Sequence, residues 1–157
     1  MRSKSGWVWL WVTAIILLLD RFSKIEIQRS LEPYSVKPIF PGFNLTLLYN
    51  KGAAFSLLDS QSGWQSWFLG AIALTVSIAI LIWLYRIPSS KRWLSIALSL
   101  ILGGALGNLS DRLLYGRVVD FLQFYAGNLY WPSFNIADSA VCVGAFMLFL
   151  DALFRKK

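Results

Sequence analysis

Two aspartates, Asp120 and Asp138, lie in or beside stretches of sequence that are otherwise apolar. Asp138 precedes the apolar run 139–150, and Asp120 stands between two valines and Phe121. An ionisable side chain at membrane depth is costly unless it is paired or solvated, so its presence indicates function. Two neighbouring carboxylates do not both ionise readily, which leaves an acid and a base side by side. Such a pair can activate a water molecule for attack on an amide bond.

The composition predicts the class of protein that carries these acids. Of the 157 residues, 57% are hydrophobic and 15% are charged, and the mean hydropathy is +0.57. A soluble domain has about 25% charged residues. The eight tryptophans suit the belts at membrane interfaces. The chain is therefore expected to form one integral membrane domain over 1–157.

The placement of charge and the counts of reactive residues exclude several functions. The net charge is +7, and basic residues cluster at 2–4, 86–92 and 155–157. Basic clusters beside apolar runs mark the cytoplasmic side of a membrane protein. Because topology accounts for the positive charge, we expect no nucleic-acid partner. Cys142 is the only cysteine, which leaves no disulfide framework. There is no histidine, which excludes a Ser-His-Asp triad and a zinc site of the H-E-x-x-H type.

Four apolar stretches predict four transmembrane helices, each near the roughly 20 residues needed to cross a bilayer. The first has a basic start like a signal peptide, but no small-residue cleavage site follows, so we expect a retained span. The basic clusters then place both termini in the cytoplasm and segments 20–63 and 110–135 outside. Within the first of these, 43–49 predicts one or two short strands on the membrane face. The predicted spans are 6–22, 64–84, 93–110 and 136–154.

Three acids fall at the same predicted depth. Asp20, Asp111 and Asp138 each lie 16 to 19 residues from the basic cluster at the cytoplasmic end of their span. At about 1.5 Å per residue this is roughly 24–29 Å, close to the outer edge of a hydrocarbon core of about 30 Å. The pattern predicts a shallow reaction site rather than a path through the membrane.

Each polar motif also has a purely structural interpretation. Asn135 and Asp138 have the spacing of a helix capping box, which is compatible with catalysis. Gly103 and Gly107 have the small-xxx-small spacing of close helix packing, which we favour over a phosphate loop.

The remaining polar residues leave similar alternatives. Asp20 and Lys24 could form only an i,i+4 ion pair, and Asn50-x-Gly52 could be only a hairpin turn. Asn108, Asp111 and Arg112 could be an interfacial salt-bridge cluster or could support the site, since a buried amide needs partners. Asp151 and Arg155 are expected to form a structural pair at the cytoplasmic end.

Taken together, the motifs resemble one family, the bacterial lipoprotein signal peptidases (signal peptidase II). Five blocks match in order over nearly the whole chain, and together they are highly specific. They are Asp20…Ser23-Lys24; Asn50-x-Gly52-Ala53-Ala54-Phe55; Gly103-Gly104-Ala105-x-Gly107-Asn108-x-x-Asp111-Arg112; Val118-Val119-Asp120-Phe121; and Phe134-Asn135-x-Ala137-Asp138-Ser139.

The resemblance implies a membrane aspartic endopeptidase that cuts diacylglyceryl-modified prolipoproteins before the lipidated cysteine. It implies an all-α membrane fold of four transmembrane helices with a small β cradle on the outer face. It implies no cofactor and no metal, a monomer in contact with membrane lipid, and a location in the bacterial inner membrane. Asp120 and Asp138 match the catalytic pair. The substrate-binding or dyad-supporting positions match Asp20, Lys24, Asn50, Gly52, Asn108, Asp111, Arg112 and Asn135.

Two other functions remain open from the residues alone. A membrane protein that binds lipid or peptide could use the same polar layer without catalysis. An ion or proton carrier would place its acids at mid-depth, whereas the predicted spans are almost free of charge there.

Overall fold

The computed structural model describes residues 5–52 and 64–154. A short 3₁₀ turn, Gly6–Trp9, leads into the first of four long helices, and a small sheet is inserted between them. The helices are α1 (Leu10–Ser30), α2 (Trp64–Arg86), α3 (Arg92–Tyr115) and α4 (Ile136–Phe154), and the strands are β1 (Val36–Phe40), β2 (Phe43–Asn50), β3 (Val118–Ala126) and β4 (Leu129–Tyr130).

Among the described residues, three helices are long and apolar enough to cross a membrane: α2, α3 and α4. These helices correspond to the predicted spans 64–84, 93–110 and 136–154. Helix α3 continues five residues past the expected end, to Tyr115. It then stops at Gly116, whose φ of 67° is left-handed and whose N–H donates to the Arg112 carbonyl at 2.9 Å. A glycine in this conformation is a common helix terminator.

The first helix extends beyond residue 22, the predicted end of the first span. Helix α1 continues to Ser30, so the segment expected to lie outside from residue 20 begins as helix. The helix continues because the charged residues after Leu19 are accommodated within it, as the buried pair of Asp20 and Lys24 shows. With its charged second half, α1 is not among the three helices that meet the length and hydropathy for a span.

Helix α3 packs against the other three helices, and glycines allow the closest approaches. A Cβ at Gly103 would lie 2.8 Å from the Ile16 side chain of α1. A Cβ at Gly107 would lie 2.8 Å from a carboxylate oxygen of Asp20, and one at Gly104 would overlap the Ala137 carbonyl of α4. The packing interpretation of the glycine-rich segment is therefore confirmed.

The four strands form one antiparallel sheet in the order β1-β2-β3-β4. The strand expected over 43–49 is confirmed as β2, whereas β3, which carries Asp120, was not predicted. Buried Leu47, Val119 and Phe121 pack with Ile27 of α1. This cluster attaches the sheet to the helices.

A β-bulge in β3 determines which side chains face the same way as Asp120. The Phe134 carbonyl accepts from the N–H groups of both Phe121 (2.9 Å) and Leu122 (2.8 Å), so two residues oppose one. The side chains of Phe121 and Leu122 both pack in the cluster around Ile27 of α1. The next residue, Gln123, is therefore returned to the face that carries Asp120.

Candidate active site

Asp120 and Asp138 come from different elements and line the same cavity, which has a volume of about 590 Å³. Asp120 lies on β3, and Asp138 lies in the first turn of α4. The same cavity is also lined by Asn50, Asn108 and Arg112. The rest of the wall is largely apolar and comprises Val118, Trp131, Pro132, Ser133, Phe134, Ser139, Val141, Cys142 and Val143.

Asn135 binds both aspartates and is completely buried. Its side-chain Nδ2 donates to Asp120 Oδ1 at 2.8 Å and also to the Val119 carbonyl at 3.2 Å. Its backbone N–H donates to Asp138 Oδ2 at 3.1 Å, and its Oδ1 accepts from the Asp138 N–H at 2.9 Å. The last two bonds form the expected capping box. Asn135 thus binds Asp138 through the helix cap and binds Asp120 through its side-chain nitrogen.

Asn50 supplies a second donor to Asp120. Its Nδ2 donates to Asp120 Oδ2 at 3.0 Å, and its Oδ1 accepts from the Gly52 N–H at 2.9 Å. The bond to Gly52 closes a tight turn at the end of β2. Arg112 Nη2 donates to the Gly52 carbonyl at 3.4 Å, which connects this turn to α3. The rest of the Asn50 motif, Ala53-Ala54-Phe55, lies outside the described residues.

A buried ion cluster lies beside Asp120 and Asp138, the pair called the dyad below. Lys24 Nζ contacts Asp20 Oδ2 at 2.7 Å, Asp111 Oδ2 at 2.8 Å and Asn108 Oδ1 at 3.1 Å. Lys24 thus donates hydrogen bonds to Asp20 and Asn108 and forms an ion pair with Asp111. Asp20 Oδ1 also accepts from the Ala137 N–H at 2.9 Å. The predicted ion pair is thus present, and it extends from α1 to α3 and to the first turn of α4.

Asn108 connects this ion cluster to the dyad. Its Oδ1 accepts from Lys24 Nζ and from Asn135 Nδ2, the latter at 3.2 Å. With the oxygen occupied by two donors, its Nδ2 is directed to Asp138 Oδ1, at 2.7 Å. The orientation of this amide is therefore fixed by its neighbours. The acids that were placed at one depth in the sequence meet in a single hydrogen-bonded network.

The environment of Asp120 favours its protonated form. The residue is 4% exposed, and burial raises the pKa of its carboxyl to about 7, with the nearby Asp138 charge acting in the same direction. Donation from Asn50 and Asn135 acts in the opposite direction and is outweighed. A carboxyl that keeps its proton near neutral pH can act as a general acid.

No group of three or more histidine, cysteine, aspartate or glutamate side chains suited to a metal ion occurs within residues 5–52 and 64–154. Lys24 and Arg112 place positive charge near the two aspartates. The arrangement thus offers two carboxylates, a set of amide donors and an open apolar wall. It is suited to acid–base chemistry on a polar bond of a largely apolar substrate.

Several cavity residues were not predicted from the sequence. Val141 and Cys142 lie three and four positions after Asp138, so helical periodicity could have identified them. Ser133 and the two residues before it carry no such signal, because only the pairing of this segment with β3 brings them to the cavity. Asp151 lies near Trp93 at the other end of α4, and its expected partner Arg155 lies outside the described residues.

The comparisons with known proteins agree with the resemblance in the motifs. The family model described as signal peptidase (SPase) II matches residues 12–154. A lipoprotein signal peptidase of Pseudomonas aeruginosa is 50% identical over 151 residues, which cover 95% of this chain and 89% of that protein. One from Alteromonas mediterranea is 47% identical over 148 residues, or 94% and 81% of the two chains.

A solved structure shows the same fold. It is described as a bacterial membrane enzyme determined by the in meso method at 2.3 Å resolution. It superposes with a TM-score of 0.86 at 29% identity and covers 100% of this chain and 96% of its own. On the family match and the extent of these identities, the chain belongs to the signal peptidase II family, a family of membrane peptidases that process lipoproteins.

Proposed function

We propose that this protein removes signal peptides from diacylglyceryl-modified prolipoproteins by aspartic catalysis, with Asp120 and Asp138 as the catalytic pair. The observation that carries the proposal is the joint placement of these acids. They lie on separate elements, line one cavity and bind the same asparagine, Asn135. The names of the relatives supply the substrate class, since both are lipoprotein signal peptidases.

The surroundings of the two carboxyls assign them different roles. Asp138 accepts from the Asn108 amide and from the Asn135 N–H, and it lies at the positive end of the α4 dipole. These donors hold both Asp138 oxygens in fixed positions, so we assign Asp138 the role of the base. Asp120, with its pKa raised to about 7, acts as the acid.

The reaction then needs no group beyond the dyad and water. Asp138 takes a proton from water as the water oxygen attacks the scissile carbonyl carbon, while protonated Asp120 donates a hydrogen bond to the carbonyl oxygen. Collapse of the tetrahedral intermediate breaks the C–N bond, and the leaving amine takes a proton from the dyad. The protons are shared, so the dyad titrates as one unit. Asn50, Asn108 and Asn135 keep both carboxyls oriented, and Gly52 and Arg112 support Asn50.

The ion cluster has a supporting role in this proposal. Asp20, Lys24 and Asp111 hold the first turn of α4 and the Asn108 amide against the dyad. These residues therefore act through others rather than on the substrate.

The membrane arrangement is part of the same proposal. The chain is one domain in the bacterial inner membrane, with α1 as a fourth span and both termini in the cytoplasm. The basic clusters at 2–4, 86–92 and 155–157 support this orientation. The dyad then lies near the outer leaflet, where the lipid of a substrate can stay in the bilayer while its peptide enters the cavity. The protein acts as a monomer.

The test is incubation of the purified protein with a diacylglyceryl-modified prolipoprotein and with its unlipidated form. We expect release of the signal peptide from the lipidated substrate at a much higher rate. Each of the variants Asp120→Asn and Asp138→Asn should lower the rate by about 10²–10⁴-fold, and the double variant should be little worse than either single one. Full activity in either single variant would remove that residue from the mechanism.

A further inference from the structure

A polar chain on the sheet leads to the wall of the cavity at Ser133. Asn44 Nδ2 donates to Gln123 Oε1 at 3.1 Å, and Gln123 Nε2 in turn approaches Ser133 Oγ at 3.4 Å. Thr46 Oγ1 lies 3.2 Å from the same Ser133 oxygen. Asn44 and Thr46 are buried, whereas Ser133 lines the cavity that contains the dyad. The chain thus begins in the protein interior and ends at the site.

The direction of these hydrogen bonds determines what Ser133 can offer. The oxygen of the Gln123 amide is occupied by Asn44, so its nitrogen faces Ser133 and can only donate. The Thr46 hydroxyl is buried and has Ser133 as its partner. A serine oxygen can accept two hydrogen bonds and donate one. When both neighbours donate, the Ser133 proton remains available, and no bond donated by Ser133 Oγ occurs within the described ranges.

The backbone of Ser133 is also available. The chain after β4 runs beside β3, with Trp131 N–H donating to the Phe124 carbonyl at 2.8 Å and Phe134 N–H donating to the Leu122 carbonyl at 3.0 Å. The N–H of Ser133, between these anchors, makes no hydrogen bond within residues 5–52 and 64–154. An unpaired backbone group at the edge of a sheet is a site where an extended peptide can add as a further strand.

We infer that Ser133 binds the main chain of the substrate, with its hydroxyl donating to a peptide carbonyl near the scissile bond. This inference rests on the proposed peptidase function and adds a positioning contact in the cavity that contains the dyad. Gln123 and Thr46 orient the Ser133 hydroxyl and do not touch the substrate. The bulge in β3 is what makes the contact possible, because it returns Gln123 to the face of Asp120.

The test compares Ser133→Ala with Ser133→Thr, which keeps the hydroxyl. Kinetics are measured on a synthetic diacylglyceryl-modified peptide that spans the cleavage site. One neutral hydrogen bond corresponds to a fall in kcat/KM of about 3- to 10-fold. We expect that loss for Ser133→Ala, mainly through KM, with an unchanged melting temperature, and near-normal kinetics for Ser133→Thr. Ser35→Ala, which removes a hydroxyl from the loop before β1 and away from the cavity, is the matched control.

A set of modified peptides separates contact with the substrate from an effect on the fold. In each peptide, one backbone carbonyl beside the scissile bond is replaced by a methylene group. At one position we expect the replacement to slow the unaltered protein but to cause no further loss in Ser133→Ala. Equal kcat/KM for Ser133→Ala and the unaltered protein would overturn the role given to Ser133, and so would the same relative loss on every peptide. Either result would leave the proposed function standing. Absence of cleavage by the unaltered protein would instead overturn the proposed function, and this assignment with it.

Discussion

Replacement of Asp120 by asparagine should lower the cleavage rate by about 10²–10⁴-fold and, above neutral pH, make the protein more stable. The pKa of this carboxyl rises from the ordinary 3.8 to about 7 in the folded protein. Each pKa unit is worth about 1.36 kcal/mol, so the folded state holds the ionised form at a cost of about 4 kcal/mol. Asparagine cannot ionise, and it therefore avoids this cost.

A smaller opposing effect reduces the gain. Asn50 and Asn135 both donate to Asp120, so an amide nitrogen at this position would face one donor and lose about 1 kcal/mol. The net stabilisation is about 3 kcal/mol. For a chain of this size each kcal/mol shifts the melting temperature by about 2–4 °C, so we expect a rise of roughly 6–12 °C at pH 8.

The pH dependence gives the sign of the effect. Between pH 4 and 7 the folded state keeps a proton on Asp120 that the unfolded chain has released, so the stability of the unaltered protein falls as pH rises. The variant lacks this contribution. Its advantage should therefore be small near pH 4, grow through this window and stay constant above pH 7. Cleavage by the unaltered protein should also decline above about pH 7, as the acid loses its proton.

The assay is thermal unfolding of the detergent-solubilised protein from pH 4 to 9, measured together with the cleavage rate. Asp151→Asn, at the other end of α4, is the control and should change neither quantity. If Asp120→Asn lowered the melting temperature at pH 8 and lost activity in proportion, the carboxylate would be structural and the reasoning refuted.

Three further predictions concern the ion cluster, the helix packing and metal. Lys24→Met leaves Asp20 and Asp111 buried without their cation and should lower the free energy of unfolding by about 3–5 kcal/mol; unchanged thermal unfolding would contradict this. Gly104→Ala forces a methyl group into a carbonyl of α4 and should cost about 1–3 kcal/mol, whereas Gly70→Ala, with only a contact at 3.6 Å, should be tolerated in the same measurement. EDTA should leave cleavage intact, because the chain has no histidine and the acids already have cationic neighbours; loss that zinc or magnesium restores would disprove the aspartic mechanism.

The sequence predicted the elements whose signal is local. The apolar runs located α2, α3 and α4, because each must be long and apolar to cross a bilayer. The same reasoning did not predict the length of α1, which continues as a helix to Ser30, beyond the expected span of 6–22. The charge of Asp20 is compensated by Lys24 and, through it, by Asp111 on α3. Nothing in the local sequence indicates that second partner.

In the candidate site, too, locally encoded features were predicted and long-range pairings were not. The equal depth of the acids in their helices correctly predicted that they come together. Strand β3 was missed because its stability depends on pairing with β2, some 70 residues earlier, as in the pair of Asn50 and Val118. The sequence also did not reveal that Asn135 binds both aspartates. The capping motif predicts its bonds to Asp138 but not its bond to Asp120, which depends on tertiary packing.

The network around Asn108 and Asn135 has a consequence for inhibition. The side chains of Asn108 and Asn135 bind the two aspartates and neighbouring elements with the same atoms. On the proposed mechanism, changes at the polar end of the cavity would therefore cost stability or activity. The apolar wall, including Val141 and Val143, makes no such bonds. A compound that draws its affinity from the polar end would leave few routes to resistance, whereas one anchored on the apolar wall could be escaped by conservative changes in side-chain size.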